Sequence, residues 1–62
     1  MKPKCKMIGE NGNIFNLMAL AARALKEVGK EKEAEQMQNR ITKEARSYTE
    51  ALGIIAEYVD PV

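Results

Sequence analysis

The sequence predicts a mainly α-helical fold, a small three-helix domain in which a short β-strand can precede the helices. Apolar residues recur at helical spacing in three segments, residues 13–28, 31–45 and 47–59. Gly29 and Ser47 separate these segments and are typical of a helix end and a helix start. A chain of 62 residues accommodates one hydrophobic core. We therefore expect a single domain over residues 1–62, with residues 1–12 as an extended arm and turn.

The first eight residues alternate between lysines and less polar residues. A period of two is typical of a short extended strand, and lysines on an edge strand discourage pairing with other chains. An edge strand or a frayed terminus is the simplest interpretation. Two others stay open, namely a strand that pairs with another copy of the chain and an arm that contacts phosphates.

Residues 9–13 read Gly-Glu-Asn-Gly-Asn, a composition typical of a turn. Asn11 or Asn13 can cap the following helix by accepting a backbone N–H. The segment has neither the ligand spacing of a calcium loop nor the Gly-Lys-Ser/Thr ending of a phosphate loop. We interpret it as a structural turn.

The first helix, residues 13–28, is the most apolar segment of the chain. At 100° per residue, its apolar side chains cover about 260° of the circumference. The continuous polar strip consists of Asn16, Arg23 and Glu27. Such a helix requires neighbours on more than one side, and Gly29 should end it in the left-handed conformation.

The second helix, residues 31–45, has a narrow apolar seam of Ala34, Met37, Ile41 and Ala45. These side chains fall within about 80° of the helical wheel. The remaining surface is charged, and we expect it to be solvated and to include an i,i+4 ion pair between Arg40 and Glu44.

The third helix, residues 47–59, opens with a capping box in which Ser47 is the N-cap and Glu50 the N3 residue. The residue before Pro61 disfavours helical geometry and should end the helix. Gly53 marks either a close helix crossing or simple tolerance. The wheel assigns Tyr48, Ala51, Leu52, Ile55 and Val59 to the core face, and Ile54 and Tyr58 to its shoulder.

The second helix is too narrow, and the third too short, to cover all of the apolar surface of the first. Either the N-terminal strand or another chain must cover the remainder, because contiguous exposed apolar patches usually mark interfaces. We expect a homodimer whose interface residues are Phe15, Leu20, Ala24, Ile54 and Tyr58.

The net charge of +1 conceals an uneven distribution. Residues 1–30 have an excess of base, whereas residues 47–62 contain three acidic residues and no base. A basic end can contact nucleic acid, so a small dimeric DNA-binding regulator is the alternative function. The candidate contacts are Lys2, Lys4, Lys6, Arg23, Lys26 and Lys30.

DNA-binding folds fit this sequence only in part. A basic strand followed by helices is similar to ribbon-helix-helix repressors, which read the major groove with a strand, but those have two helices rather than three. A helix-turn-helix interpretation would make the third helix the recognition helix. That helix carries Glu50 and Glu57 and no base, so phosphates would repel it.

The composition disfavours catalysis and bound cofactors or metals. The chain has no histidine and one cysteine, Cys5, whereas acid–base and nucleophilic catalysis depend heavily on such groups. One thiolate with scattered carboxylates does not form a structural zinc site. No segment has the length of a signal peptide or a membrane span. We expect a soluble, cytoplasmic, non-enzymatic protein.

Several short motifs resemble a group of short uncharacterised proteins encoded by bacteria, phages and mobile elements. They are Ile8-Gly9-Glu10-Asn11-Gly12-Asn13 with Phe15, then Arg23-Ala24-Leu25, Ser47-Tyr48 and Glu57-Tyr58-Val59. That group shares a basic alternating start, a Gly-Glu-Asp/Asn-Gly-Asn turn and a last helix with an aromatic residue near its end. The resemblance implies a mobile-element origin and no established activity. The expected function is an interaction domain that self-associates or binds a partner protein.

Overall fold

The computed structural model describes all 62 residues and confirms a mainly α-helical fold with three helices. A two-stranded parallel sheet brings the two ends of the chain together. The molecule is flat, with extents of 28 × 26 × 16 Å. The elements are β1 (Lys4–Cys5), α1 (Ile14–Glu27), α2 (Glu31–Glu44), α3 (Tyr48–Tyr58) and β2 (Asp60–Pro61).

Helix α1 has specific caps at both ends. The side chain of Asn13 accepts a hydrogen bond from the backbone N–H of Phe15 at 2.8 Å, which confirms it as the N-cap. Gly29 has a φ of 79°, and the N–H of Lys30 donates to the carbonyl of Leu25 at 2.8 Å. This is the glycine-ended arrangement that satisfies the last carbonyls of a helix.

Helix α3 begins at the predicted Ser47 cap, whose hydroxyl accepts from the N–H of Glu50 at 3.1 Å. The Glu50 carboxylate accepts from the N–H of Arg46 at 2.8 Å, one residue earlier than the predicted capping box implies. The helix ends at Tyr58, and Val59 is extended. The predicted end before Pro61 is therefore confirmed.

The core contains residues from all three helices, and no polar or charged residue is buried. The predicted seam of α2 packs inward through Ala34, Met37 and Ile41. The buried residues of α1 and α2 include the small residues Ala21, Ala22 and Ala34. The buried residues are Cys5, Leu17, Ala21, Ala22, Leu25, Ala34, Met37, Ile41, Ala51, Ile54, Ile55 and Val59.

Helix α3 is rotated relative to the predicted orientation. Ile54, expected on the shoulder, is 8% exposed and belongs to the core, whereas Tyr48, expected in the core, is 48% exposed. Tyr48 lies in the first turn, where its hydroxyl donates to the carbonyl of Gly12 and holds the ring at the rim. An added Cβ at Gly53 would meet nothing within 4 Å, so Gly53 does not mark a close helix crossing.

The sheet pairs Lys4 with Asp60 and Cys5 with Pro61. Asp60 and Val62 donate backbone hydrogen bonds to the carbonyls of Pro3 and Cys5, at 2.8 and 2.9 Å. β2 was not predicted from the sequence, because Asp and Pro are depleted in strands. The predicted alternation of the arm is present, since Cys5 is buried while the flanking lysines are exposed.

Candidate functional site

One side of α1 is covered by the N-terminal strand. Leu20 and Ala24 are half-buried and pack against the core beside Cys5. What remains open there is a cleft of about 270 Å³, with charged residues from β1, the turn and α1 around it. On this side, the N-terminal strand therefore covers the apolar surface of α1, and no second chain is needed there.

The opposite end of α1 borders an open apolar groove of about 400 Å³. It lies between the first turns of α1 and the junction of α2 with α3, and no charged residue lines it. We call it the Phe15 groove. Its lining residues are Ile14, Phe15, Met18, Ile41, Thr42, Ala45, Ser47, Tyr48 and Ala51.

Phe15 is the most exposed aromatic residue of the chain, at 71%, and Tyr48 is also open to solvent. Polar contacts fix the backbone beside Phe15 and the ring of Tyr48. The side chain of Asn13 accepts from the backbone N–H of Phe15, and Asn16 donates to the carbonyl of Asn11 at 2.8 Å. The hydroxyl of Tyr48 donates to the carbonyl of Gly12, so the Tyr48 side of the rim is held within the chain.

The side-chain hydroxyls of the groove already have intramolecular partners. The hydroxyl of Thr42 donates to the backbone carbonyls of Gln38 and Asn39, both at 3.1 Å. Ser47 accepts from the N–H of Glu50, and the hydroxyl of Tyr48 donates to Gly12. The groove therefore presents apolar surface with its hydroxyl groups engaged.

The five predicted interface residues do not form one surface. Phe15 lines the Phe15 groove, Leu20 and Ala24 lie at the strand-covered side, and Ile54 is in the core. Tyr58 is half-buried and donates to the side chain of Gln36 at 2.9 Å. The contribution of Met18, Ala45 and Tyr48 to the groove was not predicted, because the groove lies between helices that only tertiary packing brings together.

A polar cluster connects α2 to α3 on the surface. Arg40 donates to both carboxylate oxygens of Glu57, at 2.9 and 3.2 Å, and lies over the ring of Tyr58 at 5.7 Å. These hydrogen bonds lower the pKa of Glu57 below its ordinary value and raise the pKa of Arg40. The predicted pair of Arg40 with Glu44 is present at 3.6 Å, but its long-range partner Glu57 was not predicted.

Most of the predicted nucleic-acid contacts have intramolecular partners. Lys2 donates to the carbonyl of Ala56 at 2.9 Å, and Lys30 to that of Met1 at 2.8 Å. These two bonds attach the arm to the helices. Lys6 pairs with Glu10 at 3.9 Å, and Arg23 with Glu27 at 3.6 Å; Lys4 and Lys26 are exposed.

Cys5 is free and 5% exposed, and burial raises the pKa of its thiol. A thiol in this state is a poor nucleophile, because the thiolate is the reactive form.

None of the three helices has the length and apolar character needed to cross a membrane.

Comparison with known proteins adds no relative. No family model, no curated protein and no solved structure matches the chain. The resemblance to short bacterial, phage and mobile-element proteins therefore stays a prediction, and the groove must be interpreted from its own chemistry.

Proposed function

We propose that this protein is a non-enzymatic interaction domain that binds a protein surface through the Phe15 groove. The observation that carries the proposal is a 71% exposed phenylalanine beside an uncharged apolar groove. Exposed apolar patches on small soluble proteins mark interaction sites. Aromatic residues supply much of the binding energy at such sites.

The chemistry of the groove favours an apolar side chain of a protein over a polar small molecule. Small-molecule sites use a few converging polar groups to fix the orientation of the ligand. Here the hydroxyls of Thr42, Ser47 and Tyr48 are engaged within the chain. A partner therefore gains mainly from burying its own apolar surface.

The restricted conformation of residues at the rim of the groove also supports binding. The Asn13 cap restricts the backbone of Phe15, and the bond to Gly12 restricts the ring of Tyr48, before a partner arrives. Binding to a preorganised surface costs less conformational entropy than binding to a mobile one. Within this proposal, the protein acts in the reducing cytoplasm of a bacterium, in agreement with its single free cysteine and with the resemblance to mobile-element proteins.

Photo-crosslinking tests the proposed function. p-Benzoylphenylalanine replaces Phe15 in one chain and Val28, a 55% exposed residue at the other end of α1, in the control. Irradiation of purified protein and of expressing cells should give protein adducts from position 15 and few from position 28. Equal adduct yields at both positions, or none from position 15, would refute the proposal.

The alternative, a dimeric DNA-binding regulator, has less support. Lys2 and Lys30 bond to backbone carbonyls, and Lys6 and Arg23 pair with glutamates. Phosphate binding by this set would have to displace those contacts. Retention on heparin that weakens steeply with salt would favour this alternative, since phosphate contacts release counterions.

A further inference from the structure

We infer that the occupant of the Phe15 groove is a second copy of this chain, related by a two-fold axis, with each Phe15 inserted into the groove of the other copy. This inference rests on the proposed function and names the partner. It makes the protein a homodimer with two equivalent aromatic contacts.

The surface around Phe15 is complementary to itself. A two-fold interface uses the same patch on both copies, so one patch must supply a protruding group and a recess. Phe15 is 71% exposed at the lining of the groove, whose other lining residues include Ala45 and Tyr48. Both halves of the contact are therefore present on one side of one chain.

The distribution of charge also favours a second copy. In a two-fold interface, residues near the axis meet their own copies, so any charged residue near the axis faces a like charge. The Phe15 groove has no charged lining residue. The other open surfaces of α1 are lined by Arg23, Lys26 and Glu27, or by Lys4, Lys6 and Glu10. Among these three surfaces, the groove is thus the one that can face its own copy without bringing like charges together.

The area of the patch suits a small dimer interface. An aromatic side chain buries about 150–250 Å², so Phe15 at 71% and Tyr48 at 48% exposure expose together on the order of 200–300 Å². With the half-buried Ile14, Met18 and Ala45, two copies would remove roughly 600–800 Å² of apolar surface. Since homodimer interfaces are about 65% apolar, the total lies near the lower limit of specific interfaces, about 1,000–1,200 Å².

The small size of the domain also favours association with a second copy. Only 12 of 62 residues are buried in the isolated chain. The chain has one cysteine and so forms no internal disulfide. Domains of this size commonly gain stability by association, and the Phe15 groove is an apolar surface available for it.

Sedimentation equilibrium tests the inference on the full chain between about 1 and 500 μM. We expect a monomer–dimer equilibrium with a dissociation constant of about 1–100 μM, as suits an interface near the lower size limit. Phe15→Glu should raise that constant at least 30-fold, which corresponds to the loss of about 2 kcal/mol at an aromatic hot spot. Glutamate in the first turn suits the dipole of α1, so the variant should fold.

Val28→Lys is the matched control. It places a charge on an exposed apolar residue at the other end of the same helix, again with a favourable sign for the dipole. Its dissociation constant should remain within about threefold of the wild-type value, a change of about 0.6 kcal/mol. Circular dichroism should give the same helicity for the wild type and both variants.

Mixing two variants tests the reciprocal arrangement. Thr42→Arg places a cation on the exposed groove lining of α2 and should weaken self-association as Phe15→Glu does. A mixed dimer retains one wild-type contact, and its other contact places the introduced carboxylate of one copy against the introduced guanidinium of the other. The 1:1 mixture should therefore recover dimer formation that neither variant shows alone, and a mixture that stays monomeric would overturn the two-fold exchange.

The outcomes separate this inference from the proposed function. A wild-type chain that stays monomeric at about 500 μM overturns the inference, as does a dimer that Phe15→Glu leaves intact. If position 15 then crosslinks to a different protein, the proposed function still holds. If position 15 crosslinks to nothing, both fail.

Discussion

The two ends of α1 differ in how their apolar surface is covered. Around Leu20 and Ala24, the apolar surface is covered from within the chain, because β1 lies beside it and places Cys5 in the core. Around Phe15, the apolar surface is left open beside an uncharged groove. One part of the apolar surface of the helix is therefore covered within the chain, and the other is open to solvent.

The difference follows from the path of the chain. β1 is fixed by β2, by Lys2 bonded to Ala56 and by Lys30 bonded to Met1. After β1 the chain turns through residues 9–13 and enters α1 directly. The N-terminal turns of the helix stay open to solvent, with Phe15 71% exposed. An apolar excess in one helix can thus be partly core and partly exposed surface.

The largest expected effect compares Leu17, a buried core residue of α1, with the exposed Phe15 two residues earlier. Leu17→Ala should lower the free energy of unfolding by about 2–5 kcal/mol, because Leu17 is 5% exposed and its loss leaves a cavity. Phe15→Ala should change it by about 0.5 kcal/mol or less, as at other exposed sites. Urea denaturation measures both.

These measurements require a protein concentration low enough that copies do not associate. At higher concentration the Phe15→Ala deficit should grow, since association stabilises the folded chain by mass action. Similar losses for the two variants in the dilute sample would mean that Phe15 belongs to the core and that the two ends of α1 do not differ.

A second, smaller effect concerns the end of α1 that β1 covers. Deleting residues 60–62 removes β2 and the backbone hydrogen bonds that hold Pro3, Cys5, Met7 and Ile8. At the lower end of the usual range, roughly 0.5 kcal/mol for each of these four bonds, opening of the arm should become about 30-fold more frequent. The rate at which the Cys5 thiol reacts with a disulfide reagent measures this, because the native thiol is buried and its pKa is raised.

The matched control is Phe15→Ala, which alters the open end and should leave the thiol reaction rate near that of the wild type. Full-length protein in urea gives the rate of the accessible thiol. If the truncated chain reacts no faster than the intact one, then the sheet does not protect Cys5.

The smallest expected effect lies away from α1, where exposed polar contacts join α2 to α3. The pKa of Glu57 is lower in the folded chain than its ordinary value, because Arg40 donates to the carboxylate. The ionised form is therefore the stabilising one. Its contribution should be complete above about pH 4.5, the ordinary value, and should disappear as the pH falls below it.

Urea denaturation of the wild type and of Glu57→Gln between about pH 7 and pH 2.5 measures this contribution. The wild type should be more stable at the neutral end, and the difference should close toward the acidic end. Glu35→Gln, at an exposed residue of α2 without an ion pair, is the matched control. A difference that persists at the acidic end would contradict the assignment to the ionised carboxylate.

Local signals in the sequence predicted much of the fold. Asn13, Gly29 and Ser47 act through their own backbone neighbours, and their roles as caps are confirmed. The narrow seam of α2 also packs inward as predicted. Such features depend on residues within one turn of each other, so they can be inferred without knowing where the helices lie.

The candidate site could be predicted only in part. The helical wheel identified Phe15 as excess apolar surface. It also selected Ile54, which is buried in the core, and Tyr58, which forms hydrogen bonds with Gln36 and Arg40. The rotation of α3 decides these outcomes, because it depends on how alanines and larger side chains of three helices fit together.

By itself, the sequence determined three helices, their ends and an apolar excess on the first of them. Only the tertiary structure decided that β2 exists, that β1 covers the Leu20 end of α1 and that the Phe15 end borders a groove. The physical reason is the distance along the chain over which each interaction acts. Caps and helical periodicity act over three or four residues, whereas pairing of Lys4 with Asp60 and packing of Phe15 near Tyr48 join segments that meet only in the folded chain.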